Sequence, residues 1–109
     1  MASSALINLG SFRYGKPADI ILLRGRINYT DIYFSNGEKL TVATTLKVLE
    51  GRLSPGQGYC RTHKSFLINL QYFHKISVSN RLPVAEMQNG LLAQISRRKM
   101  PSLKFRLLK

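Results

Sequence analysis

The sequence predicts a mainly β domain with one or two short helices, and three observations carry that prediction. Short β-branched runs recur between turn residues, an Asn-Gly pair divides two alternating arms, and helical periodicity is confined to brief stretches. At 109 residues the chain suits one domain with a modest core, and 44% hydrophobic residues suffice to fold it. Residues 1–15 are expected to form a flexible N-terminal segment, because the first eleven are small or polar with little pattern, and 16–109 to form the folded unit.

Asp19-Ile-Ile-Leu-Leu23, bounded by Gly25, reads as a strand buried on both faces. Between Tyr29 and Val42, a two-residue Asn36-Gly37 loop would put the apolar residues of the two arms on opposite faces. A three-residue loop, Ser35-Asn36-Gly37 with Gly37 left-handed, pairs Ile32 with Leu40 and Thr30 with Val42, so the bulged turn is expected. Thr44-Thr45 supplies a capping hydroxyl before Leu46, Leu49 and Leu53, a short amphipathic helix that stops before Pro55-Gly56. Its leucines suit a core better than a zipper, since the helix is too short for sustained heptads. Tyr59–His63, Phe66–Ile68 and Ile76–Val78 read as further strands, with turns at Asn80-Arg81 and Asn89-Gly90. Leu103–Leu107 closes the chain with one or two helical turns.

Charge points to the partner. Seventeen Lys+Arg against five Asp+Glu give a formal +12, more than solubility of a small domain requires. The 23 residues after Glu86 hold no acid, while Arg97, Arg98, Lys99, Lys104, Arg106 and Lys109 crowd that end. Such a field steers polyanions. The single Cys60 excludes an intrachain disulfide and fits a reducing compartment, with cytoplasm the default. The start lacks a signal-peptide pattern, and the longest apolar run, Ile20–Leu23, falls far short of the roughly 20 residues of a membrane span.

Catalysis and metal binding are not expected. Cys60, His63 and His74 are too few for a structural zinc site, and no placed carboxylate or lysine completes a His63/His74 acid–base pair for a nuclease. Ser65 has no sequence mark of an oriented base or an oxyanion hole, so it reads as a hydrogen-bonding strand residue. No cofactor is expected.

Arg61-Thr62-His63-Lys64-Ser65-Phe66-Leu67-Ile68-Asn69 resembles the signature of the LytTR family of bacterial transcription regulators: Arg, any residue, His, a basic residue, Ser, an aromatic, two apolar residues and Asn. Flanking Asp19-Ile20, Asn28-Tyr29, Thr45-Leu46-Lys47, Asn89-Gly90 and Ile95-Ser96-Arg97-Arg98 agree in order, so the resemblance spans roughly residues 16 to 108. It implies an elongated stack of β-sheets with about ten short strands. It further implies loops that enter successive major grooves of double-stranded DNA, at paired direct-repeat sites, with possible self-association on the DNA.

Three positions match the family's reading loops: Asn28, Lys64 and Arg97. Arg97 can donate a bidentate pair to guanine, Lys64 can reach guanine or phosphate, and Asn28 can pair with adenine. Arg24, Arg26, Arg98 and Lys99 beside them are expected to contact phosphates, whereas Arg61, His63, Ser65 and Asn69 are expected to be structural. Alternation puts Arg61, His63 and Ser65 on one side of the strand. Most members of the family carry a receiver domain or a membrane segment before this module, and neither is expected here. Where they commonly have an acid after the first core strand, this chain has Arg24. Charge and aromatics alone would equally suit a small RNA-binding or ribosome-associated β protein; only the signature string separates the two.

Overall fold

The computed structural model describes residues 6–53 and 58–108. Its centre is β3 (Ile20–Gly25), flanked by β4 (Thr30–Phe34) and β7 (Phe66–Asn69), with β5 (Lys39–Val42) and β6 (Tyr59–His63) outermost in a five-stranded antiparallel sheet of order β5-β4-β3-β7-β6. Ile20, Ile21, Leu22 and Leu23 are all buried, as expected of a strand covered on both faces. A register shift opposite β4, from Ile20↔Phe34 to Leu22↔Tyr33, breaks simple alternation. Ile20 and Leu23 therefore join one core, while Ile21 and Leu22 both join the other.

The first core lies under α1 (Leu46–Leu53) and a hairpin of β1 (Ile7–Gly10) and β2 (Arg13–Gly15), and contains Leu9, Leu46, Leu49 and Leu53. The second lies under a three-stranded sheet of β8 (Phe73–Ser79), β9 (Leu82–Met87) and β10 (Leu92–Gln94), together with α2 (Met100–Leu107). Its members include Ala85, Met87, Ile95 and Leu103. Among the described residues there are ten strands in three sheets and two short α-helices, a mainly β architecture.

The bulged hairpin forms as the parity argument requires: Ile32 faces Leu40, Thr30 faces Val42, and Gly37 has φ +92°. The Thr45 hydroxyl accepts from the Val48 N–H at 3.4 Å at the start of α1, and the three leucines of that helix are buried. Its expected stop at Pro55-Gly56 lies outside the described residues. The last helix begins at Met100 rather than at the expected Leu103, directly after a turn opened by Ser96. Its carbonyl and hydroxyl both accept from the Lys99 N–H, at 3.0 and 3.2 Å.

Residues 7–15, expected to belong to a flexible segment over residues 1–15, form the β1–β2 hairpin; residues 1–5 lie outside those described. Leu9 is fully buried in the first core, and the hairpin is fastened where Arg52 donates to the Asn8 carbonyl and the Ala43 N–H donates to Ser11 Oγ, both at 2.9 Å. Gly10 makes this docking possible. It has φ +97°, and a Cβ there would stand 1.7 Å from Thr44 Oγ1. Small polar residues concealed the segment from a reading by composition, since Leu9 is its one buried residue among those described. Leu9→Ala should cost about 2–3 kcal/mol in urea denaturation; an unchanged midpoint would mean that the hairpin contributes no packing.

Candidate nucleic-acid interface

Three connections meet at the end of the central sheet where β3 stops. The first is the β3–β4 loop, closed by the Arg26 N–H donating to the Tyr29 carbonyl at 2.7 Å, with Asn28 exposed inside it. The second is the β6–β7 turn, whose exposed Lys64 lies beside Ser65. The third runs from Ser96 to Lys99, with Arg97 and Arg98 exposed.

Hydrogen bonds join the three in series. The Gly25 N–H donates to the Ser65 carbonyl at 2.7 Å, tying the first connection to the second. Thr62, fully buried, donates its hydroxyl to the Gln94 carbonyl at 2.8 Å and accepts at its own carbonyl from the Ser96 N–H, also at 2.8 Å, tying the second to the third. The recess between the first two is lined by Arg26, Ile27, Lys47 and Lys64. That between the last two is lined by Glu50, Arg61, Lys64, Ser96, Arg98 and Lys99.

The signature residues build this junction. Arg61 spreads its guanidinium over the β6–β7 turn, Nε donating to the His63 carbonyl at 2.9 Å and Nη2 to the Lys64 carbonyl at 2.7 Å, while Nη1 pairs with Glu50 of α1. His63 Nδ1 accepts from the Ser65 N–H at 3.0 Å, so the ring proton sits on Nε2. Asn69, buried at the other end of β7, donates to the Ile20 carbonyl at 2.9 Å and accepts from the Gln71 N–H at 3.0 Å, fastening β7 to the start of β3. One expectation is overturned. Arg61 and His63 do not share a side, because a bulge between them spends the alternation on Thr62. Arg61 faces α1, while His63 packs edge-on against Phe66 of the second core, with ring centroids 6.0 Å apart.

Among the expected phosphate-contacting residues, Arg24 is exposed and stacks its guanidinium over Phe66 at 5.9 Å. Arg26 is half-exposed and bonds Asp31 at 3.0 Å, a buried carboxylate that also accepts from Thr41. Arg98 and Lys99 border the recess that holds Lys64. Sequence reading missed two cations at this end. Lys47 lines the first recess from the start of α1, and Arg81 occupies the tip of the β8–β9 turn, next to Leu82 and Pro83, which share a cleft with His63 and Arg97. A basic residue at a hairpin tip was a legible signal for Arg81; Lys47 was not separable from a solvated helix face.

Acids are kept away or neutralised. Asp31 and Glu50 are the only carboxylates placed at this end among the described residues, and each is paired with an arginine. Asp19 and Glu38 lie at the opposite end, where the Ser35 N–H meets the Asp19 carbonyl, and Glu86 sits across the ladder from Lys75. No cluster of three or more His, Cys, Asp or Glu occurs among the described residues, and none of their helices is long and apolar enough to cross a membrane.

A β scaffold that gathers cationic connections at one end defines the class, a small polyanion-binding module. The chain belongs to the LytTr DNA-binding domain family, whose model matches residues 11–108, and DNA is the partner that membership implies. Among solved structures it is similar to the LytTr DNA-binding domain of a Bacillus cereus protein described as a methyl-accepting/DNA response regulator. That likeness has a TM-score of 0.76 at 17% identity and covers 96% of this chain and 98% of the other, which establishes the common fold. No curated protein matches the chain significantly. The family is defined by DNA binding rather than by catalysis.

His63 gives this end a pH dependence. Burial, then the charges of Lys64 and Arg61, push its pKa below the ordinary 6.5. Below pH 6.5 the unfolded chain therefore binds the imidazole proton more readily than the folded one. The stability contributed by neutral His63 is complete above that value and is lost as pH falls through the folded pKa. Urea midpoints should fall on acidification below pH 6.5, and His63→Gln should flatten part of that slope; identical slopes would refute the assignment.

Proposed function

We propose that this protein is a sequence-specific transcription regulator that acts in the cytoplasm and reads successive major grooves of duplex DNA with its three basic connections. The reading rests on one observation: the loops carrying Asn28, Lys64 and Arg97 are hydrogen-bonded in series at one end, where the carboxylates are paired with arginine. A groove reader needs its donors on a common rigid edge, because a contact held loosely loses the discrimination a bidentate bond gives.

Arg97 takes the role of guanine reader, with Lys64 and Asn28 contributing further base contacts. Arg24, Arg26, Arg98 and Lys99 hold phosphates and set register. Copies bind side by side on paired direct repeats, which gives spacing along the DNA a role in affinity. Competition binding tests the partner. Duplexes with two sites one or two helical turns apart should be preferred over single strands and structured RNA at moderate salt, and tight RNA binding indifferent to duplex DNA would refute the reading.

Arg97→Ala should weaken a selected duplex by about 1–3 kcal/mol and leave random DNA nearly unchanged. Equal losses on both would reduce Arg97 to a phosphate contact. Lys99→Ala should instead weaken all sequences and lower the slope of log affinity against log salt by about 0.9. Both are read by fluorescence anisotropy across a salt series.

A further inference from the structure

The β6–β7 turn is conformationally unusual. A two-residue hairpin loop prefers positive φ at its central residues, because that twist matches the flanking strands. The β8–β9 turn obeys, with Asn80 at φ +51° and Arg81 at φ +67°. The Lys64-Ser65 turn does not. His63 faces Phe66 across it, yet neither central residue is among the positive-φ positions. The backbone holds this turn at the Ser65 carbonyl, which accepts from the Gly25 N–H, but that bond does not involve Lys64.

Side chains supply the missing constraint. The Arg61 fork ties the His63 and Lys64 carbonyls together, and the Ser65 N–H is held by His63 Nδ1. Arg61 is itself anchored by one carboxylate, Glu50, on a helix whose Leu49 and Leu53 are fully buried. An acid at the end that meets phosphates is electrostatically unfavourable, so its presence calls for a compensating role.

We propose that Glu50 is a positioning residue for DNA recognition: through Arg61 it holds the β6–β7 turn in the conformation that aims Lys64. This deepens the reading above and rests on it, but it makes a prediction opposite to that of simple electrostatics. If Glu50 were only a repulsive charge, removing it would tighten binding to every duplex. If it positions the turn, Glu50→Ala strengthens binding to random DNA slightly and sacrifices discrimination. Glu50→Gln keeps an oxygen acceptor for the Arg61 Nη1 donor and retains discrimination.

The experiment compares the intact chain with Glu50→Ala, Glu50→Gln and Arg61→Lys. Each is titrated against the duplex that the unmodified protein selects from a randomised library, and against random duplex of equal length. Hydrogen exchange at the Ser65 amide is followed in the absence of DNA. Glu50→Ala should lower the ratio of selected to random affinity about tenfold, within the range that one base contact supplies, and should accelerate Ser65 exchange. Glu50→Gln should preserve both.

Arg61→Lys, which keeps the charge but loses the fork, should reproduce the loss of discrimination and guards against a Glu50→Ala protein that folds poorly. An unchanged affinity ratio or unchanged Ser65 exchange in both Glu50→Ala and Arg61→Lys overturns the inference. Lys64→Ala separates the two levels. Were it to leave the ratio intact, base reading by Lys64 would fall, while the exchange data would still decide whether Glu50 sets the turn.

Discussion

Burial of β3 on both faces is the constraint from which the architecture follows. Four consecutive apolar side chains cannot be hidden by a two-layer domain with one solvated sheet face, so cover must be recruited on each side. The register shift at the start of β3 divides the four as two and two between the cores. One face takes α1 and the β1–β2 hairpin, and the other takes the β8–β10 sheet with α2. A third layer in so short a chain leaves few residues for connections, and the β3–β4 and β6–β7 connections are short and fastened by hydrogen bonds.

That economy bears on function. A loop can read a DNA groove only if the scaffold suppresses its freedom, since disorder would cost affinity and blur the choice of base. Here the restraint comes from specific polar bonds rather than from packing. Thr62 is held at both its hydroxyl and its carbonyl by the segment that leads to Arg97, and the Ser65 carbonyl by the end of β3. The central turn is thus linked to both neighbours.

The charge distribution follows the same division of labour. Carboxylates at the end of the sheet where β3 stops are matched with arginines, so the positive field there comes from lysines and arginines with no acid partner among the described residues, such as Lys64, Arg97 and Arg98. Pairing does a second task in each case. Asp31 orients Arg26 near the first loop, and Glu50 orients Arg61 over the second turn, so the acids lend geometry where they subtract charge.

Much of this was legible before the fold. Hydrophobic runs, side-chain parity and Gly37 determined the central strand, the bulged hairpin and the leucine face of α1, because those features depend on near neighbours in the chain. The Arg61–Asn69 string identified the family and brought the loop residues into view. Only tertiary structure decided what depends on distant partners: the docking of Leu9, the bulge that turns His63 away from Arg61, the fork from Arg61 to Glu50, and the nearness of Lys47 and Arg81 to the end where β3 stops. Local sequence specifies backbone preference and which face is apolar, whereas a hydrogen bond between residues far apart in the chain exists only after packing has brought donor and acceptor together.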